Sequence, residues 1–385
     1  MGGCLMKFLF APDSFKGSMT SKRVIELLSI AANQHFPGCE IRKVPMADGG
    51  EGTIDAIVEA LSGSCKYKEV RGPRGTVVSA KYGVVDKDTA IIEMAESSGL
   101  PLLSEKMRNP LKTSSYGAGE LICHVLNQGY TKIYLTLGGS ATNDGGMGAA
   151  NALGIGFLNE KGEELEPIGE NLGKVAKIDL SRINPHLENS QIILMCDVDN
   201  PLYGEKGATY VYGEQKGGTK EQLDLLEKGM IHYGNLIEKT CHKSIVGLEG
   251  AGAAGGFAVP FLAFTNAIIQ SGIKTVLELI HFEDLLEGVD LVVTGEGRLD
   301  WQSVYGKVLY GVGNACKRKS IPAVAIVGSM GQGASDIFDH GIISAIPTVN
   351  SVMSMETAMD HADELFLSAA DRMFRFIKVG MNMEV

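Results

Sequence analysis

The sequence predicts an α/β protein built as two α/β domains, one made from both chain ends and the other inserted between them. Three observations carry that reading. The chain opens strand, helix, strand, helix, a pattern that lays strands parallel and puts active groups at their carboxyl ends. From about residue 70 the texture changes to short strands separated by Gly72-Pro73-Arg74-Gly75 and Asp86-Lys87-Asp88, which read as antiparallel hairpins. After Leu285 the βα texture of the opening resumes. The expected division is residues 6–70 with 286–385 as a discontinuous α/β domain, and 71–285 as an inserted domain with a mixed sheet. A chain of 385 residues suggests two to three domains at roughly 150 residues each.

Taken in order, Met1–Leu5 read as an extension, since Met6 would serve equally well as a start. Lys7–Phe10 is a strand, and a turn rich in functional groups, Ala11 to Ser18, leads to a helix over about Ser21–Gln34. Val24, Ile25, Leu27 and Leu28 share one face of that helix, and Pro37-Gly38 stops it. Ile41–Val44 is the second strand, followed by Asp48-Gly49-Gly50-Glu51-Gly52 and a helix up to Leu61. Tyr67–Val70, Thr76–Val85 and Thr89–Met94 are the hairpin strands, and Ser115–Asn127 is a helix. Ile133–Leu137 is an apolar strand running into Gly138, Gly139, Gly145 and Gly146, after which Met147–Leu153 favours helix. Strand, glycine-rich turn, helix can present several N–H groups to an anion at the positive end of a helix. Gln191–Met195 is a strand, Lys220–Thr240 an amphipathic helix, and Gly247–Gly256 a second glycine loop. Leu291–Val293, Ala323–Val327 and Ile342–Ile346 are strands, and a helix over about Glu356–Ile377 closes the chain.

Composition excludes several classes. A net charge of −11 and a pI near 5.3 argue against a nucleic-acid partner, which calls for a basic face. Seven scattered cysteines with no CxxC pair read as reduced, cytoplasmic usage without structural zinc. No apolar run reaches membrane-spanning length, and Asp13 interrupts the one at the start. The 49 glycines against 12 prolines are spread over turns, arguing many sharp backbone corners. The oligomeric state is left open, a homo-oligomer included.

Five loops carry candidate chemistry. Asp13, Ser14, Lys16 and Ser18 follow the first strand, and Asp48 with Glu51 follows the second; each set could instead cap or charge the next helix. The central loop holds Gly138, Gly139, Ser140, Asn143 and Gly145. Cys196-Asp197-Val198-Asp199-Asn200 follows a buried strand, and alternation would turn Asp197 and Asp199 to one side, as suits a cation. Thr294-Gly295-Glu296-Gly297-Arg298-Leu299-Asp300, with Lys307 downstream, carries the charges a metal-nucleotide needs. Gly250-Ala251-Gly252-Ala253-Ala254-Gly255 matches G-x-G-x-x-G, yet Pro260 interrupts the next segment early and the only nearby acid is Glu278, so it is not read as a nicotinamide site. There is no Walker A pattern and no G-x-S-x-G elbow.

Together these loops resemble the bacterial-type (type 1) glycerate kinase family. The resemblance runs through DSFKGS at Asp13–Ser18, PMADGGEGT at Pro45–Thr53 and EMAESSGL at Glu93–Leu100. It continues in RNPLKTSSYGAGEL at Arg108–Leu121, LGGSATNDGG at Leu137–Gly146 and CDVDNPL at Cys196–Leu202, then GAGAAGG at Gly250–Gly256 and TGEGRLD from Thr294. It implies phosphorylation of D-glycerate by ATP with Mg²⁺, 2-phosphoglycerate being favoured over 3-phosphoglycerate. It also implies that the domain made of both ends is flavodoxin-like, a parallel sheet with helices on both faces. A phosphotransferase for another small hydroxy acid and a non-catalytic ligand sensor of the same fold are the alternatives.

Phosphoryl transfer asks the protein chiefly for positioning and charge neutralisation. In that role Gly138, Gly139, Ser140, Asn143 and Gly145, with Gly252, Gly255 and Lys307, can bind the nucleotide. Asp48, Asp197 and Glu296 can hold metal or act as base, and Asp199 is a further ligand. Lys16 can neutralise phosphate or bind the carboxylate of glycerate, for which Ser14, Arg71, Arg74 and Arg108 are also candidates. Asp197 beside Asp199 and Asn200 suits the metal; Asp48, with only Glu51 close in sequence, suits a lone base.

Overall fold

The computed structural model describes residues 5–304 and 306–381, so the expected extension, Leu5 apart, lies outside the described residues. The chain divides into two compact units. A terminal unit holds the residues up to Asp48, Glu59–Leu61 and those from Gly272 on; an inserted unit holds Gly49–Val58 and Ser62–Ser271. The first crossing lies at Asp48 and not near 70 because Ser64–Arg71 is an edge strand of the inserted unit, paired along its length with Val77–Val84. The last lies at Ser271 because helix Gly272–Leu279 packs on helix Val308–Lys319 of the terminal unit.

The terminal unit is built on a five-stranded sheet in the order Ile342–Pro347, Ala323–Met330, Leu291–Leu299, Lys7–Phe10, Glu40–Lys43, every pair parallel. Counted along the chain within this unit the order is 2-1-3-4-5, that of flavodoxin-like doubly wound sheets. Phe8 and Phe10 face helices Ser21–His35 and Ala362–Met381, where Phe8 meets Phe36 and Phe374 edge-on at 5.4 and 5.5 Å. Strand alternation leaves Leu9 and Val292 for the opposite face, against which helix Val308–Lys319 lies. The Thr20 hydroxyl accepts the Arg23 N–H at 3.2 Å and starts the first helix. The expected closing helix is two helices, Met355–Asp360 and Ala362–Met381, with His361 between them.

The inserted unit has a six-stranded sheet ordered Ile268–Gln270, Gln191–Met195, Lys132–Thr136, Thr89–Glu93, Val77–Val84, Ser64–Arg71. The first four run parallel and the last two are the expected antiparallel hairpins. Ala118, Leu121, Ile122 and Val125 of helix Tyr116–Asn127 pack on Ile92, Ile133 and Leu135 of the sheet. Helix Lys220–Cys241 opens with a capping box made by Thr219 and Gln222.

At the end of strand Thr89–Glu93 the Glu93 carboxylate, 4% exposed, accepts the Ile54 N–H at 2.8 Å. Burial pushes its carboxyl from 4.5 up to about 7, although the Ile54 N–H pulls the other way. A carboxyl whose folded pKa lies above its unfolded one contributes stability that is complete below about pH 4.5 and lost as pH rises through about 7. Glu93→Gln keeps an acceptor for Ile54 and removes the charge. It is expected to flatten the pH dependence of unfolding between pH 4.5 and 7 and to add on the order of 1–3 kcal/mol at pH 8. Urea melts at pH 5 and pH 8 read this directly; an unchanged pH slope would contradict it.

Candidate active site

In a doubly wound sheet the strand connections diverge at one point, and ligands bind outside the carboxyl ends there. In the terminal unit that point lies between Lys7–Phe10 and Leu291–Leu299. The Ala11 and Asp13 N–H groups donate to the Val293 and Gly295 carbonyls at 2.9 and 2.8 Å, so the chain beyond the first strand stays alongside its neighbour. Phe15 turns back into the core against Phe366, and its N–H donates to the Met19 carbonyl. The tip Lys16-Gly17-Ser18 is thereby held out, with Gly17 at φ +83°. The Met46 N–H donates to the Pro12 carbonyl at 3.0 Å and brings Asp48 to the same strand ends.

Glu296 belongs to a strand and not to the expected loop, because Leu291–Leu299 stays paired with Ala323–Met330 through Leu299 and Met330. The Ser303 hydroxyl donates to Glu296, and Lys307 precedes helix Val308–Lys319 as its N-cap. Asp13, Ser14, Lys16, Asp48, Glu296 and Lys307 line one cavity of about 480 Å³. Burial, then the Asp48 charge, pushes the Asp13 carboxyl up to about 7 against the pull of the Ser14 N–H and Lys16. Burial also pushes Glu296 up to about 7, with Ser303 and Lys307 pulling it down and Asp48 adding to the rise. Asp48 is therefore not the isolated carboxylate that its sequence neighbourhood suggested.

Asp13 and Glu296, pushed up by burial and by the Asp48 charge, are short of positive charge. Among the described residues no three His, Cys, Asp or Glu side chains form a ready-made metal cage. Mg²⁺ does not require one, since one or two carboxylates plus phosphate oxygens and water are its usual shell. The donor set fits Mg²⁺ in that manner, and Lys16 and Lys307 suit phosphate as point charges.

The glycine loops of the inserted unit behave differently. Gly138 and Gly139 are exposed beyond strand Lys132–Thr136, but Ser140 to Gly146 are buried. Asp144, fully buried, accepts the Ser115 N–H and hydroxyl at 2.7 and 2.8 Å and the Gly146 and Gly148 N–H groups at 3.2 and 3.1 Å. Asn143 donates to the Thr209 hydroxyl, and the Gly145 N–H donates to the Gly255 carbonyl at 2.9 Å. A Cβ on Gly255 would stand 2.3 Å from the Thr142 carbonyl oxygen, and one on Gly252 2.2 Å from that of Pro201. Of the expected phosphate cradle, Asn143 and Gly255 are thus packed loop on loop, Gly252 lies against the Asn200–Pro201 turn, and Gly145 lies under the Tyr233 ring. Ala254 and Gly255 have φ of 51° and 72°, so the G-x-G-x-x-G match does not open a regular helix.

Asp197 and Asp199 are exposed beyond Gln191–Met195, and Asp197 accepts the Ser271 hydroxyl at 2.9 Å. Asn200 is withdrawn from the expected oxygen cluster: its amide donates to the Lys206 carbonyl at 2.8 Å and accepts the Tyr212 hydroxyl at 2.6 Å. Arg71 lies over the Tyr116 ring at 4.2 Å and beside Glu120 at 3.5 Å, lining a cavity of about 250 Å³ with Arg74 and Lys112. Arg108 is not among the residues lining that cavity. Lys216 had no signal in the sequence. It is 2% exposed, donates to the Thr142 carbonyl at 2.7 Å, and is pushed down to about 7 by burial.

Gly255→Ala is expected to cost more than about 3 kcal/mol, because a left-handed residue would gain a side chain against a backbone oxygen. Thermal unfolding measures it, and a variant melting within two degrees of the parent would show that the two loops are not packed together.

A sequence model described as the Glycerate kinase family matches residues 8–378. The chain is 44% identical over 363 residues to a protein called glycerate kinase from Halalkalibacterium halodurans, covering 94% of this chain and 96% of that protein. It is 39% identical over 378 residues to the glycerate 2-kinase of Escherichia coli K12, covering 98% and 99%. A crystal structure from Salmonella typhimurium LT2, provisionally called glycerate kinase 2, superposes with a TM-score of 0.88 at 38% identity, covering 99% of this chain and 100% of that one.

Proposed function

The chain belongs to the glycerate kinase family, and on that premise we propose that it transfers the γ-phosphoryl group of ATP to a hydroxyl of D-glycerate, with Mg²⁺, at the cavity of the terminal unit. The observation that supports this most is the gathering of Asp13, Asp48 and Glu296 with Lys16 and Lys307 around one cavity. Asp48 and Glu296 are the residues that would hold Mg²⁺, which when bound offsets negative charge on the phosphates. Lys16 and Lys307 supply the remaining positive charge to the phosphates.

Asp13 is the candidate base. Burial raises its carboxyl above the ordinary carboxylate range, toward the pKa that suits proton transfer at neutral pH. The glycerate oxygen bonds to the γ-phosphorus as the bond from that phosphorus to the β-bridging oxygen breaks; ADP leaves, and the hydroxyl proton passes to the Asp13 carboxylate. The name glycerate 2-kinase borne by the Escherichia coli relative supports 2-phosphoglycerate as the favoured product. Reduced cysteines, six of them free among the described residues, support a cytoplasmic setting.

The purified protein is expected to consume ATP only with glycerate and Mg²⁺ both present, and phosphorus NMR should show 2-phosphoglycerate. Turnover without glycerate, or in excess chelator, would sink the proposal. Asp13→Asn is expected to lose roughly 10²–10⁴-fold in kcat with no recovery at high Mg²⁺, whereas Asp48→Asn should recover part of its rate. Recovery of the Asp13 variant and not the Asp48 variant would reverse the two roles.

A further inference from the structure

One wall of the terminal-unit cavity is not used by phosphoryl transfer. The stretch from Thr348 to Ala362 contributes Val349, Met353, Met355, Ala358 and Met359 to it, and no charged side chain. Its two hydroxyl-bearing lining residues each bond within the chain. The Thr348 hydroxyl donates to the Gly328 carbonyl at 3.2 Å. The Ser354 hydroxyl caps helix Met355–Asp360, accepting the Thr357 N–H at 3.1 Å. Met19 joins the same lining, bringing the methionines there to four. Met359 also reaches the loop that carries Lys16, since a Cβ on Gly17 would stand 2.7 Å from its terminal methyl.

A cavity of about 480 Å³ is of the size that encloses a drug-sized ligand, far beyond a three-carbon acid. Methionine side chains are flexible and polarisable, and they recur at surfaces that accept varied partners. We propose that the methionine wall receives the nucleobase of the phosphoryl donor through apolar and dispersion contact, with no side-chain hydrogen bond to read its edge, so that the enzyme discriminates weakly among nucleoside triphosphates. Sites that hydrogen-bond a substrate group reject analogues lacking it by roughly 10⁴–10⁵-fold, whereas apolar pockets achieve about 10–200-fold. The inference rests on the cavity being the donor site of the proposed kinase.

Steady-state kinetics and calorimetry on the 385-residue chain separate the inference from that premise. With glycerate and Mg²⁺ fixed, kcat/KM is determined for ATP, GTP and UTP; values within about 200-fold of one another are expected. Met355→Ser and Met359→Ser, at residues 69% and 40% exposed, are expected to raise KM for all three nucleotides by similar factors, roughly 5–20-fold. KM for glycerate and the melting temperature should stay at parental values. A preference for ATP above about 1,000-fold, or nucleotide KM values unmoved in both variants, overturns the inference while leaving a kinase. Calorimetry with Mg-ATP covers the other failure: nucleotide bound and weakened by both substitutions, without turnover, sustains the methionine wall and removes the glycerate kinase reading. No binding removes both.

Discussion

Parallel strands that wind in opposite directions from a switch point leave a gap at their carboxyl ends, and in the terminal unit three carboxylates are placed at it. Asp13 and Glu296 are almost without water, 6% and 5% exposed, and Asp48 adds its field to both. Nothing in the packing of an α/β sheet requires this, and desolvated like charges oppose folding. Lys16 and Lys307 line the same cavity and put positive charge beside these carboxylates. The backbone bonds that lock Ala11–Asp13 against Leu291–Leu299, and Met46 against Pro12, hold the three groups at that spacing.

The glycine excess has two physical sources that composition does not separate. Some glycines bring backbone against backbone. A Cβ on Gly328 would stand 2.2 Å from the Gly297 carbonyl oxygen, so Leu291–Leu299 and Ala323–Met330 stay paired past the point where side chains would force them apart, and Glu296 rides on that extension. Gly255 does the same for the two loops of the inserted unit. Others, such as Gly17, shape turns whose tips hold out an exposed charged side chain. Only turns of the second kind are the open loops that a glycine-rich stretch suggests when it is read as a phosphate cradle.

The lining of the terminal unit's cavity is assembled from pieces far apart in sequence, and its two characters come from different ones. The charged groups arrive on strand ends near residues 13, 48 and 296; the apolar wall arrives on the connection after Ile342–Pro347 and the short helix Met355–Asp360. That helix is separated from Ala362–Met381 at His361, and its Met355 and Met359 line the cavity.

Local pattern was enough to read the architecture. Strand length, helix periodicity and turn chemistry are determined within a few residues, so the βαβα opening, the hairpins after residue 70 and the return of parallel strands after Leu285 were legible directly, as was strand Gln191–Met195 to the residue. The turns bearing Lys16 and Asp48 were legible as well, because turn chemistry after a strand is local; that Glu296 lies inside strand Leu291–Leu299 was not, because it depends on pairing with Ala323–Met330. Burial and proximity are not local. That Asp48 has Asp13 and Glu296 as electrostatic neighbours, that Asn143 and Gly145 lie inside a packed unit, that Asn200 spends its amide on Lys206 and Tyr212, and that Lys216 is buried against Thr142 all depend on segments tens to hundreds of residues apart. Desolvation, which sets the charge state of these groups, is decided only when those segments meet.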